Sequence, residues 1–209
     1  TNVNVVKLVG LLMILIAGGI VSNEFSSGTI KFLLINPVKR WKILMAKYLT
    51  VISLGYILVL GVFVISLLVS GIICGFDNGN ALYITAKSGV VTASNPYIHI
   101  FCDYLLAGVG TVVTATLAFC ISSMVRSTAL SVGMGLFIYL AGAAINSIIA
   151  DLQFSWGRYL IFANLDLSSI INGKSLYFEH SVGTAVAVIL IHLFVFLLTA
   201  WDGFTKREI

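Results

Sequence analysis

His99 and Asp103 stand four residues apart, a spacing that puts two side chains on one face of a helix. A histidine and a carboxylate so placed share a proton or supply two ligands to a metal ion. No third ligand lies at metal spacing, so a structural pair is the expectation. Cys74, Cys102 and Cys120 form no C-x-x-C, and three is an odd number in a chain of 209 residues. A disulfide framework is therefore not expected, although Cys74 and Cys102 both fall towards one side of the membrane and their pairing stays open. His192 sits inside a long apolar run. It reads as a neutral polar residue bonded to a neighbour rather than as a proton relay. No Ser/His/Asp arrangement and no paired carboxylates point to hydrolysis. No G-x-x-x-x-G-K-S/T phosphate loop occurs in the sequence, so ATP binding through such a loop is excluded. The chain is not expected to be an enzyme, to bind a metal or to hold a cofactor of its own.

The elements that carry these residues follow from composition. The chain is 59% hydrophobic and only 10% charged, with 12 Lys and Arg against 8 Asp and Glu, and its mean hydropathy is +1.08. Soluble domains carry about 25% charged residues, and disordered chains are poor in apolar ones. An all-α polytopic membrane bundle remains. Four uncharged stretches reach spanning length, at residues 48–76, 104–125, 127–150 and 181–201. A fifth, 8–23, reaches it if residues 3–7 join and Lys7 snorkels to the interface. These runs are too long and too uniformly apolar for barrel strands. A tight turn is expected within 122–128, around Arg126. Lys47 and Asp103 fall near span ends and are expected to snorkel as well.

Counting positive charges orients the spans. With residues 24–47, Arg126 and the C-terminal end in the cytoplasm, that side holds eight basic residues and the other four. The inner side is then +5 and the outer side −1. The N-terminus is thereby placed outside, which predicts an earlier span upstream of Thr1. The basic residues are spread over membrane faces, so nucleic-acid binding has no support.

Residues 22–42 differ from an ordinary loop. Ser22 or Asn23 is expected to cap a helix, with Glu24 at its positive end. Phe25, Thr29, Phe32 and Leu33 recur at helical spacing, and Pro37 is expected to break the helix at Asn36. Lys39, Arg40 and Lys42 then reach the headgroups beside Trp41. On residues alone, an anchoring interfacial helix and a docking surface for a cytoplasmic partner are equally supported. The string Glu24-Phe25-x-x-Gly28-Thr29-x-x-x-Leu33-Leu34-x-x-Pro37-x-x-Arg40 resembles the coupling-helix segment of the ABC-2-type exporter permeases, the membrane subunits of ATP-binding cassette exporters. The continuation Trp41-Lys42-Ile43-Leu44-Met45-Ala46-Lys47-Tyr48 is similar too, as are Arg126-Ser127-Thr128-Ala129 and the end Phe204-Thr205-Lys206-Arg207-Glu208-Ile209. Glu208 departs from the family's usual Asp.

The resemblance implies a single transmembrane domain over 1–209 that holds spans two to six of six. It implies a coupling segment at 24–41 and short outer helices within 151–180, where Trp156, Tyr159 and Phe162 suit an interface. It also implies a permease of the plasma membrane, with its C-terminus cytoplasmic. Partners would be separate ABC ATPase subunits that bind ATP and magnesium, a second permease subunit, identical or related, and membrane lipid. Glu24, Phe25, Gly28, Thr29, Leu33, Pro37 and Arg40 are the expected coupling residues. Glu24 would cap or pair, Phe25 would fill a groove, and Gly28 would permit close approach. The rival expectation is a membrane anchor or sensor that docks a partner and transports nothing. Elsewhere, Gly71-x-x-x-Gly75 and the small residues of 133–144 favour close helix packing. The polar loop 77–95, with Asn78-Gly79 as a turn signal, identifies no ligand.

Overall fold

In lipid a backbone has only itself to bond to, so long apolar runs become helices. The computed structural model describes residues 4–29, 39–75, 83–87, 90–178 and 180–206. Helix α1 covers Asn4–Gly19, α2 Ser22–Ser26, α3 Arg40–Cys74, α4 Pro96–Met124, α5 Thr128–Asp151, α6 Leu167–Ile171 and α7 Val182–Thr205. Two 3-10 turns, Ser155–Tyr159 and Ile161–Asn164, precede α6. Among the described residues five helical stretches are long and apolar enough to cross a membrane: Val5–Ser26, Arg40–Ile73, Pro96–Met124, Thr128–Asp151 and Val182–Thr205. The chain is an all-α, multi-pass membrane protein, as its composition implies.

Local chemistry sets the helix ends. Asn95 accepts from the Tyr97 N–H at 3.0 Å and Pro96 occupies the first turn of α4. Ser127 caps α5 through Leu130 N–H, and Ser181 caps α7 through Thr184 N–H. Val125, Arg126 and Ser127 form the tight turn between α4 and α5. Helix α3 has 35 residues, roughly 52 Å at 1.5 Å per residue. That exceeds a hydrocarbon core of about 30 Å. Its first turn therefore carries Arg40, Trp41 and Lys42, and the Lys42 ammonium lies 5.9 Å from the Trp41 ring centroid. These residues form the first turn of the spanning helix, in the part that exceeds the hydrocarbon core.

Two further expectations change. Neither Ser22 nor Asn23 caps a helix. Val21 is the N-cap of α2 and makes no side-chain cap bond, while the Ser22 hydroxyl donates back to Gly18 O at 2.7 Å. Helix α2 thus continues the first span after a break. The second change lies in the 77–95 loop. There β1 (Tyr83–Lys87) and β2 (Val90–Ser94) pair antiparallel, with Lys87 opposite Val90. Two residues, Ser88 and Gly89, separate the strands, a hairpin length.

Helices α1 and α4 form the centre. Met13, Ile14 and Ala17 of α1, with Val21 at the start of α2, pack with Tyr104, Ala115, Ala118 and Phe119 of α4, and with Val51 and Val59 of α3. Helices α5 and α7 turn large apolar side chains outward, among them Phe137, Leu140, Leu190 and Phe194. Such residues suit contact with lipid. A hydroxyl pair, Tyr48 OH and Thr116 Oγ1 at 3.0 Å, joins α3 to α4 within this apolar setting. The bundle has two unlike ends. One, the hairpin end, carries the strand pair and the 155–171 turns. The other, the basic end, carries α2, the start of α3, Arg126 and the end of α7.

Candidate functional site

The break between α1 and α2 sits at the basic end. Ending a helix inside a span frees backbone groups that must find partners. Both freed N–H groups, of Val21 and Ser22, donate to the Ser122 hydroxyl of α4, at 3.1 and 3.0 Å. The freed Ile20 carbonyl accepts from the Lys47 ammonium of α3 at 3.2 Å. The same ammonium pairs with Glu24, and the two side chains are 17% and 22% exposed. Glu24 therefore makes the expected ion pair. Lys47, expected to snorkel, instead closes the joint, because Glu24 offers it a charge inside the bundle. Oε2 of Glu24 is buried and has no partner among the described residues.

Phe25 meets Phe204 of α7 edge to face at 6.3 Å. The Ser26 hydroxyl lies 3.1 Å from Thr128 Oγ1 of α5, and Arg40 Nη1 donates to Thr205 O at 3.5 Å. Four of the five residues of α2 thus reach α3, α4, α5 and α7. Past them the Ser27 hydroxyl donates to Asn23 O and bonds Thr29 Oγ1 at 2.9 Å. Gly28 has φ +71° and open space around a would-be Cβ. Within the chain its need for glycine is conformational. Asn23, Ser27 and Thr29 are exposed. Leu33 and Pro37, with the break expected at Asn36, lie outside the described residues.

A second feature escaped the sequence reading. A cavity of about 430 Å³ lies between α1, α4, α5 and the 162–176 segment. Its wall owes its shape to two glycines. A Cβ on Gly110 would overlap the Leu165 carbonyl oxygen, and one on Gly142 would overlap the Phe162 ring. Phe162, expected at an interface, is thus folded inward, while Trp156 and Tyr159 are more than half exposed as expected. Tyr139 reaches the cavity from the middle of α5, near Thr114 of α4. Tyr139 is twelve residues from the end of its helix, about 18 Å of rise. The cavity therefore runs from the hairpin end to about the middle of α5. A lone tyrosine and scattered small residues carry no sequence signal for it.

Polar bonds brace its rim. Tyr177 OH donates to Asn146 Oδ1 at 2.7 Å. Asn164 Nδ2 donates to Arg158 O and Leu160 O at 2.9 and 2.7 Å, which turns its Oδ1 towards His180 Nε2 at 3.0 Å. His180 thus donates from Nε2 and accepts from Ser175 Oγ at Nδ1, a neutral tautomer. Burial, with the nearby Arg158 charge, lowers the His180 pKa in agreement. Burial also raises that of Tyr177.

The other candidates settle as structural groups. His99 Nδ1 lies 3.1 Å from Asp103 Oδ2, and Ser168 Oγ donates to Asp103 Oδ1 at 2.6 Å. The expected pair exists, and Asp103 points inward to hold α6 instead of snorkelling. His192 Nδ1 lies 2.8 Å from Val188 O of its own helix. Among the described residues no three His, Cys, Asp or Glu gather as metal ligands. Cys102 and Cys120 are free thiols.

Comparison with known proteins overturns the family resemblance. Residues 3–209 match the family described as "Protein of unknown function (DUF2705)". The "Uncharacterized protein YhcI" of Bacillus subtilis (strain 168) is 37% identical over 210 residues, covering 100% of this chain and 67% of that protein. The "Uncharacterized membrane protein YdbK" of the same organism is 29% identical over 203 residues, covering 97% of this chain and 78% of that protein. Neither the family nor these relatives are ABC-2-type exporter permeases by description. The Glu24–Arg40 string misled for a physical reason. An acid at a helix start, a glycine, a proline and flanking bases suit many connections between two spans.

Proposed function

Because the chain belongs to the DUF2705 family, of unknown function, we propose its role from its own geometry: it is the membrane-spanning subunit of an ATP-driven exporter, coupled at its basic end to separate ATPase subunits. The positive-inside rule puts that end in the cytoplasm. The single observation that carries the reading is the α1–α2 joint. A short helix held by α3, α4, α5 and α7 at once gives a partner a lever on four elements. Exposed Asn23, Ser27 and Thr29 offer the contact surface, and Glu24, Phe25 and Arg40 carry the load inward. The spans hold no midplane Asp, Glu, Lys or Arg for ion coupling, and the sequence lacks a phosphate loop. Energy would come from ATP and magnesium held by the partner. A second permease subunit, identical or related, would complete the pathway in the plasma membrane.

The test uses charge and bulk at exposed positions, so that folding is spared. The protein is purified from its native membranes in mild detergent, and ATP hydrolysis in the eluate is measured. Wild type is expected to elute with magnesium-dependent hydrolysis. The double variant Asn23→Arg/Thr29→Arg, folded and monodisperse, is expected to lose at least tenfold. An eluate without hydrolysis, or hydrolysis unchanged in the variant, overturns the reading. A bound partner that does not hydrolyse ATP also overturns it, in favour of a membrane anchor.

A further inference from the structure

The cavity at the hairpin end differs in chemistry from the rest of the bundle. Most of its wall is apolar, including Phe162, Leu165 and Ile170. Its volume falls within the usual range for small-molecule sites, roughly 300–1,000 Å³, which combine apolar walls with a few placed polar groups. Here those polar groups are mainly donors. Asn146 is 6% exposed and gives its Oδ1 to Tyr177 OH. Asn146 lines the cavity, and its Nδ2 makes no bond with a described residue. Tyr139 OH, deeper in, likewise makes no bond with a described residue. A Cβ on Gly10 would lie 3.6 Å from Thr114 Oγ1 and 4.0 Å from that hydroxyl.

Two exposed ammonium groups, Lys7 and Lys174, stand at the rim. Neither has an ion-pair partner among the described residues. The one carboxylate beside them, Asp166, is engaged by the Ser169 N–H at 3.1 Å. From rim to floor the wall therefore offers two cations beside the Asp166 carboxylate, an amide, apolar side chains and a phenol.

We infer that this cavity is a binding site for an anionic amphiphile with an acyl chain. The anionic head meets Lys7 and Lys174 by charge-assisted bonds. The first carbonyl of the chain accepts from Asn146 Nδ2, and the chain lies against Phe162, Leu165 and Ile170. A water-soluble anion would leave the apolar wall unfilled, and a neutral oil would leave both lysines and the amide unanswered. The ligand is either one leg of a bilayer phospholipid or a free single-chain amphiphile. The site stands without the ATP-driven reading, and only its designation as a cargo site rests on that reading.

The test is native mass spectrometry of the detergent-purified full chain with no ATPase present. Phosphatidylglycerol and lysophosphatidylglycerol are titrated against the matching choline lipids. One lipid per chain, with at least tenfold preference for a glycerol headgroup, is expected. Preference in the diacyl arm identifies a bilayer lipid, and preference confined to the lyso arm a single-chain ligand. Lys7→Gln/Lys174→Gln, both at exposed positions, is expected to erase the preference, and Gly10→Leu to fill the cavity and abolish the adduct. Tyr139→Phe, which preserves shape, is expected to weaken binding a few-fold. Equal binding of choline lipids, an adduct that survives the lysine variant with its preference intact, or no adduct in wild type overturns the inference. That failure leaves the hydrolysis assay untouched, so the two proposals fail separately.

Discussion

Replacing Lys47 by Met should destabilise the protein more than replacing Lys47 and Glu24 together. The side chains of the Lys47–Glu24 pair are about four-fifths buried. Breaking a fully buried pair from one side costs about 3–5 kcal/mol, because an uncompensated charge stays behind. Partial exposure lowers that to about 2–4 kcal/mol for Lys47→Met. The loss is weighted to the high side, because Glu24 Oε2 already lacks a partner and Ile20 O would lose its donor. Glu24→Gln alone keeps the ammonium on Ile20 O and should cost about 1–2 kcal/mol. Glu24→Gln/Lys47→Met removes both charges but leaves Ile20 O without its donor, and should cost about 1–2 kcal/mol. The double-mutant cycle then yields a coupling of about 1–5 kcal/mol. The assay is unfolding in mixed micelles of rising SDS fraction, followed by tryptophan fluorescence. Additive losses, with the double variant as unstable as the sum of the singles, would refute the account of the joint.

The remaining expectations concern the hairpin end. Gly110→Ala should cost about 1–3 kcal/mol or more by pushing the Leu165 carbonyl off α4, and limited proteolysis should cut 160–176 before the bundle unfolds. Gly133→Ala, where nothing lies within 4 Å, should instead be neutral or stabilise by up to about 1 kcal/mol, which separates steric from helical effects. His180 has a pKa below its ordinary 6.5, from burial and Arg158. The unfolded chain therefore binds more protons between the two values. The contribution of His180 to stability is whole above pH 6.5 and is lost as pH falls through the lowered folded value. Thermal melts from pH 8 to pH 5 should show that loss, and His180→Gln should flatten it.

What was legible in the sequence follows from what a membrane imposes. Five spans, the turn at Arg126 and the outward Trp156 were readable because apolar length and charge placement are one-dimensional quantities. The His99–Asp103 pair was readable because i,i+4 geometry is local. The hairpin was readable in principle from the β-branched residues flanking Ser88-Gly89, but the polarity of the loop hid it. The cavity was not legible, because Gly110, Gly142 and Tyr139 matter only through Leu165, Phe162 and Gly10, which lie far away in the chain. The role of Lys47 was missed for the same reason. Snorkelling is a rule about one residue, and an ion pair needs two.

The two candidate sites lie at opposite ends of the bundle, yet both lie on α1. Its N-terminal half contributes Lys7 and Gly10 to the cavity, and its C-terminal end is the joint held by Ser122 and Lys47. Between them Met13, Ile14 and Ala17 are fully buried against α4. A helix packed this tightly does not bend within its buried stretch, because displacing any one side chain opens a void or a clash. It moves as a rod. The place where movement is cheap is the break at Ile20–Val21, whose backbone groups are bonded to side chains rather than to a continuous helix. A hydroxyl and an ammonium can follow a backbone through small rotations and keep their bonds, whereas a helical ladder cannot. On the proposed function, a push on α2 would pivot at the joint, and its effect at the cavity would be read as a shift of Lys7 and Gly10 against Tyr139. That geometry accounts for why the joint is built from Ser122, which accepts, and Lys47, which donates, on neighbouring helices, and not from an unbroken helix running on to Ser26.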